Sequence, residues 1–351
     1  MVYARATTVC RRSSAEVLGA FRATVGNTPI VHIGLDIAGT RRWIGLKLEG
    51  HNPCGSIKDR TAASLLESIG PDALDGASAI VESTSGNLGV SLAHLAGELG
   101  LPFHAVVDPK LSPVVAERMR ERGALLHRVT EPDDTGGYLL TRLDTVARLH
   151  REIPGAVWPN QYANPANPAA HRDGTGPEIL RQTGGAVDAV FVAVSTGGTI
   201  AGVSEHLRTA SPATRVIGVD VVGSVVFENR PGARRLSGIG ASRRSDFLRA
   251  DTVDGHEMVT DEEAFAFCRA LDRWCGLRVG GSSGAVLAGC VHHLVRHPEI
   301  TRPVCIAPDI GENYLRTLFD DDYLRREGIE LHDDLLRPTP AHDPVRFLGK
   351  A

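Results

Sequence analysis

Apolar, β-branched runs alternate with stretches of helical spacing along most of the chain. The pattern predicts strands at 44–48, 77–81, 103–107, 125–129, 189–194, 216–221 and 304–307. It predicts helices at 56–68, 88–99, 113–122, 138–151, 200–209, 264–274 and 285–295, joined by short polar turns. Such a β-α-β-α order implies an α/β fold with largely parallel sheets, since parallel neighbours need helical crossovers. The segment 158–168 (WPNQYANPANP) can continue neither element and marks a crossover between domains. Residues 229–244 are rich in Gly and Arg and lack periodicity, and a loop of that length in a compact domain is usually functional. The tail beyond His332 has little pattern and is expected to wrap the surface. At roughly 150 residues per domain, 351 residues imply about two domains.

In parallel sheets, ligands gather where strands end and loops lead into helix N-termini. Three such loops share one character, being rich in Ser, Thr, Gly and Asn with almost no charge. The first, ESTSGNLG at 82–89, offers hydroxyls and free N–H groups suited to a carboxylate. Taken alone, it also reads as a well-capped helix start. The second, STGGT at 195–199, lets backbone approach a phosphate, yet no Lys follows its glycines as in a nucleotide triphosphate loop. The third, GGSSGA at 280–285, presents a neutral hydroxyl at Ser282.

The basic side chains are unevenly divided. Of 38 basic residues only four are lysines, Lys47, Lys58, Lys110 and Lys350, and the other 34 are arginines. Arginine does not give up its proton and cannot serve as an amine nucleophile. Lys58 lies in NPCGSIKDR at 52–60, at the start of a predicted helix, where the helix dipole lowers an amine's pKa. A lysine amine, a phosphate cup, a carboxylate cup and a neutral hydroxyl together fit one cofactor, pyridoxal 5′-phosphate.

These motifs, with VGNTP (25–29), NQYANPANPAAH (160–171), GIGAS (238–242) and PDIGENY (308–314), span about 25–315 in order. The chain thereby resembles the cysteine synthase and cystathionine β-synthase family of fold-type II pyridoxal-phosphate enzymes. The resemblance implies two parallel-sheet α/β domains, the smaller inserted in the larger: 1–50 and 163–351 as the large cofactor-binding domain, 51–162 as the small mobile one. It implies Lys58 as the Schiff-base lysine and general base at Cα, with Asn87 meeting the cofactor's 3′-oxygen. Ser195, Thr196, Gly197, Gly198 and Thr199 would hold the phosphate, and Ser282 would face the ring nitrogen. Thr84, Ser85 and Gly86 would bind the substrate carboxylate. The implied activity is β-replacement through an aminoacrylate, and the implied assembly is a homodimer.

Departures from the family pattern bear on the substrate. Cysteine synthases usually carry Thr where Cys54 stands, Gly where Ser195 stands and Gln-Phe where Gln161-Tyr162 stands. They also carry a GIGAGF-type loop rather than GIGASR. Ser195 and Tyr162 would narrow or re-polarise the pocket, while Arg142 and Arg243 add positive charge suited to a leaving phosphate or a second carboxylate. In these features the chain is similar to the siderophore and antibiotic branch. Enzymes of that branch join O-phospho-L-serine to L-glutamate, giving N-(2-amino-2-carboxyethyl)-L-glutamate and phosphate toward 2,3-diaminopropionate. A cysteine synthase using O-acetyl- or O-phosphoserine with sulfide is the alternative. A dinucleotide-binding or non-catalytic module is disfavoured, because 238–243 lacks the third glycine and an early strand.

The net charge of −4 gives no overall attraction to nucleic acid or anionic membranes, so small amino-acid substrates are expected instead. No apolar run approaches the roughly 18 residues of a membrane span, and the N-terminus lacks the apolar stretch of a secretory signal. Six cysteines without a C-x-x-C pair fit a reduced, cytoplasmic protein with no metal site.

Overall fold

A computed structural model describes residues 12–133 and 137–350. In chain order its strands are β1 (Ile30–Ile37), β2 (Thr40–Leu48), β3 (Ala79–Ser83), β4 (Phe103–Val107), β5 (Ala124–Arg128) and β6 (Ala156–Val157). They continue with β7 (Ala189–Ala193), β8 (Arg215–Val221), β9 (Gly255–Val259), β10 (Pro303–Ala307) and β11 (Arg346–Lys350). Two sheets result: a larger one in the order β11-β1-β2-β10-β7-β8-β9, and a smaller one in the order β5-β4-β3-β6. The smaller sheet is parallel throughout and its strands lie in sequence between β2 and β7, inserted within the larger.

The expected α/β architecture is present, but the larger sheet is mixed rather than wholly parallel. β1 pairs antiparallel with both β2 and β11. Its hairpin to β2 turns on Ala38 and Gly39, both at positive φ (52° and 75°), the conformation whose twist matches the flanking strands. The tail expected to wrap the surface supplies β11, so Lys350 ends on a strand at the sheet edge. β3 and β10 are buried at every position and β7 and β8 at nearly every one, which is why they read as continuous apolar runs.

Helices cover both faces of each sheet. Asp261–Cys275 and Gly281–Arg296 pack on one face of the larger sheet through Phe265, Phe267, Val286 and Val291. Gly198–Ala210 covers the other through Ile200, Val203 and Leu207. On the smaller sheet, Lys58–Ile69, Asn87–Leu99 and Pro113–Arg120 share one core, which also takes Val17, Leu18 and Phe21 of Ser14–Arg22. That first helix was not expected from the pattern; it starts on a Ser13–Glu16 capping box. Leu139–Glu152 covers the opposite face through Val146 and Leu149.

The Lys58 helix joins the two halves. Ile57 packs in a core of the larger sheet, whereas Ala62, Ala63, Leu65 and Leu66 pack in a core of the smaller. Beneath it lies a buried ionic cluster. Arg60 donates to Glu49 at 2.7 and 2.9 Å and to Glu178 at 2.7 Å from each of two nitrogens. Lys47, fully buried on β2, donates to Glu178 at 2.7 Å, to Gln182 at 3.0 Å and to the Thr28 carbonyl. Burial works to raise the Glu178 pKa, but Arg60 and Lys47 outweigh it and hold the carboxyl at about 2. Removing one partner strands a charge in the interior, so Glu178→Gln is expected to lower unfolding free energy at pH 7 by about 3–5 kcal/mol. Urea denaturation measures this, and a loss below about 1 kcal/mol would show that the cluster does not couple the helix to β2.

Candidate active site

The carboxyl ends of β3, β4, β7 and β10 converge on a cavity of about 240 Å³ between the two sheets. Every site residue expected from sequence lines it except Gly198. Gly198 lies against Asn167 instead, where a Cβ would stand 2.1 Å from the amide oxygen.

Lys58 is the first residue of its helix and is half-buried against the cavity. Its amine has no hydrogen-bond or ion-pair partner among the described residues, and burial pushes its pKa down to about 8. The next two residues fix that helix start. The Asp59 carboxylate accepts the Cys54 N–H at 2.7 Å and the Ser91 hydroxyl at 2.6 Å, while Arg60 enters the ionic cluster.

At the end of β7, Ser195–Thr199 leads into the Gly198 helix through Gly197, at φ +83°. A Cβ on Gly197 would stand 2.3 Å from Ser245 Oγ, so only glycine lets Ser245 reach across to the Thr196 carbonyl. Thr199 Oγ1 lies 3.3 Å from His171 Nε2, and Thr61 of the Lys58 helix lies 3.2 Å from the same nitrogen. Burial, with Lys58 and Arg60 nearby, holds His171 well below its usual pKa, so it bridges the phosphate loop and the lysine helix as a neutral ring. Ser195 donates its hydroxyl to the Gly240 carbonyl at 3.2 Å, tying this loop to GIGAS.

The loop after β3 is also internally braced. Thr84 Oγ1 accepts the Gly89 N–H at 3.0 Å, and Ser85 Oγ accepts the Asp108 N–H at 2.9 Å. Both hydroxyls keep their own hydrogens for an incoming carboxylate. Asn87 donates one amide hydrogen to Asp309 at 2.7 Å and accepts from Asn313 at 3.0 Å, leaving its second amide hydrogen for a ligand. Asp309 also takes the Tyr314 hydroxyl at 2.7 Å, and burial raises its carboxyl pKa to about 6. Sequence reasoning quoted the PDIGENY motif without singling out Asp309, whose position beside Asn87 only the fold shows.

Arg142 and Tyr162 meet in the cavity. Arg142, buried in Leu139–Glu152, lies 3.4 Å from Tyr162 Oη and 3.4 Å from Ser85 Oγ, and its Nε is 3.3 Å from Asp108. Tyr162 is placed by its neighbour: Gln161 donates to the Ser83 carbonyl at 2.7 Å and to buried Glu82 from its backbone. Arg243 differs, lying half-exposed at the mouth and paired with Asp246 at 2.6 Å. Arg234 and Lys110 line the same cavity. Arg234 falls in the non-periodic segment, whose arginines give no sign of which one turns inward.

The family model described as pyridoxal-phosphate dependent enzyme matches residues 21–309. The chain belongs to this family. Two curated relatives of these pyridoxal-phosphate enzymes are named N-(2-amino-2-carboxyethyl)-L-glutamate synthase. The one from Ralstonia nicotianae is 43% identical over 303 residues, covering 86% of this chain and 90% of the relative. That from Cupriavidus metallidurans is 43% identical over 307 residues with the same coverage. Among solved structures, an O-acetylserine dependent cystathionine β-synthase from Helicobacter pylori is 32% identical with a TM-score of 0.76, covering 85% of this chain and 97% of that one. This chain is therefore a fold-type II pyridoxal-phosphate enzyme of the cysteine synthase type.

The residues present suit that cofactor. An amine without a counter-ion faces the cavity, a helix N-terminus free of carboxylates opens onto it, and Ser282 contributes a neutral hydroxyl at the start of the Gly281 helix. Only the free-base amine reacts with an aldehyde. Loading of pyridoxal phosphate into the apoprotein is therefore expected to accelerate with rising pH around a midpoint near pH 8. Absorbance on mixing follows the rate; a midpoint near the ordinary lysine value of 10.5 would contradict the desolvated amine.

Proposed function

We propose that the enzyme joins O-phospho-L-serine to L-glutamate. The Cβ–O bond breaks with its electron pair leaving on phosphate, and a Cβ–N bond forms to the glutamate amine, which loses one proton. The α-proton of the serine moiety leaves and returns, so the products are N-(2-amino-2-carboxyethyl)-L-glutamate and phosphate. One observation carries this choice: a buried guanidinium, Arg142, shares a cavity wall with the hydroxyls of Ser85 and Tyr162. A dianionic leaving group calls for such a charged, hydroxyl-lined pocket, whereas sulfide or a leaving acetate does not. The two relatives of 43% identity support the same reading by their names.

Pyridoxal phosphate, when bound, supplies an electron sink for the bond broken at Cα. Lys58 would hold it through Nζ and, once released, carry the α-proton away and back at that nitrogen, for which a pKa of about 8 is well placed. Thr196, Gly197, Thr199 and the helix N-terminus would hold its phosphate, with Ser195 and Gly198 shaping the loop. Asn87 would donate its remaining amide hydrogen to the 3′-oxygen. Ser282 would offer the ring nitrogen a neutral hydroxyl, where an aspartate would hold a proton there. Thr84, Ser85 and Gly86 would receive the substrate carboxylate. We also read residues 51–162 as the part that closes over the site, and the protein as a cytoplasmic homodimer supplying 2,3-diaminopropionate to a siderophore or antibiotic. No helix among the described residues is long and apolar enough to cross a membrane.

Incubating the holoenzyme with O-phosphoserine and either glutamate or sulfide, and weighing the product, tests the activity. The glutamate adduct is expected; cysteine formed efficiently with no adduct would overturn the reading. Losing a buried charge-assisted contact should make Arg142→Ala raise KM for O-phosphoserine about ten- to a hundredfold. Arg243, half-exposed at the mouth where Arg142 is buried, should matter less, about threefold or under on conversion to Ala. The reverse ranking would place the leaving phosphate at the mouth instead.

A further inference from the structure

Besides Lys58, three cations lining the cavity have no ion-pair partner among the described residues: exposed Arg244, and Arg234 and Lys110, which face each other from different elements. Arg142 is paired with Asp108 and Arg243 with Asp246. Arg234 has a single hydrogen bond, 3.1 Å to Ser242 Oγ; its Nε is buried without an acceptor, and no carboxylate lies within ion-pair distance among the described residues. Lys110 donates its backbone N–H to Asp108, but its ammonium has no hydrogen-bond or ion-pair partner among the described residues. In a chain with four lysines, two line one cavity.

The two come from opposite walls. Lys110 follows β4 of the smaller sheet, and Arg234 sits in the long connection from β8 to β9 of the larger. Arg234 is held in place: the Asp261 carboxylate accepts the backbone N–H groups of Arg235 at 2.6 Å and Leu236 at 3.1 Å, pinning the loop beside it. Gly240, at φ +75°, leaves it room, since a Cβ there would stand 2.4 Å from its Nη1. The two are near enough to influence each other: burial and then the charge of Arg234 lower the Lys110 pKa, while Asp108 and Asp261 work to raise it. Arg234 is half-buried and Lys110 exposed; Asp261 acts on both from a distance, Asp220 on Arg234 and Asp108 on Lys110, yet none is within ion-pair distance, so each cation keeps room for a direct carboxylate contact.

We propose that Arg234 and Lys110 hold the carboxylates of the second substrate, a dicarboxylic α-amino acid, one from each wall. This subsite rests on the reading that an amino acid is the nucleophile. Two carboxylates satisfy two cations and fix the amino acid across the cavity, so that its amine, once deprotonated, is held for attack. A hydrosulfide ion carries one charge and cannot span the two walls.

The test separates the half-reactions in the holoenzyme. Phosphate released from O-phosphoserine without any amine reports the first; adduct formation with glutamate or glutamine, followed by mass, reports the second. Arg234→Gln and Lys110→Gln are each expected to raise KM for glutamate about tenfold or more and to erode the preference for glutamate over glutamine. Phosphate release without amine should stay within about twofold, and Arg234→Lys should retain more glutamate affinity than Arg234→Gln. An unchanged glutamate KM and preference in both Gln variants would overturn the subsite alone. Equal loss of phosphate release would overturn it too, by assigning the cations to the first substrate. Wild-type protein forming no adduct with either amine would instead overturn the underlying reading of the nucleophile.

Discussion

An amine that is to react near neutral pH must be kept from bulk water and from any carboxylate, and the protein must hold it there without either help. Lys58 meets this demand at the seam of two hydrophobic cores. The residues that follow it do the anchoring. Asp59 ties the helix start to Cys54 and Ser91, and Arg60 ties it to Glu49 and Glu178. Buried ion pairs rarely add net stability over apolar packing. Here the cluster fixes the direction and depth of one helix, and the amine's position follows from that.

The groups lining the cavity fall into two sets. The loops Ser195–Thr199 and 84–87 and the start of the Gly281 helix present hydroxyls, amides and backbone N–H groups, with Asp309 reserved by Asn87 and Tyr314. Positive side chains line the remaining wall and the mouth: Arg142, Lys110, Arg234 and Arg243. The first set leaves Lys58 without a counter-ion among the described residues; in the second, Asp108 and Asp246 pair with Arg142 and Arg243, and Arg234 and Lys110 have no ion-pair partner. The net charge of −4 gives no hint of this local field.

Much of the site was legible in the sequence because its parts are local. A glycine that must take positive φ, a hydroxyl before a helix, and a lysine in an arginine-preferring chain all mark themselves within a few residues. Parallel strands buried on both faces also stand out as apolar runs. What escaped depends on distant partners. β11 is short, and its alternating exposure becomes a strand only when β1 offers an edge. The inward turn of Arg234 depends on Asp261 and Gly240, and the role of Asp309 depends on Asn87, more than 200 residues away. The tie from the Ser195 hydroxyl to the Gly240 carbonyl likewise joins loops 45 residues apart.

Lys58 and Lys110 line the same cavity, so the cofactor has two lysine amines within reach. Borohydride reduction of the holoenzyme, followed by peptide mass mapping, reads directly which of them carries it. The pyridoxyl mark is expected on the peptide containing Lys58 and not on that containing Lys110; a mark on Lys110 with Lys58 unmodified would refute Lys58 as the cofactor lysine.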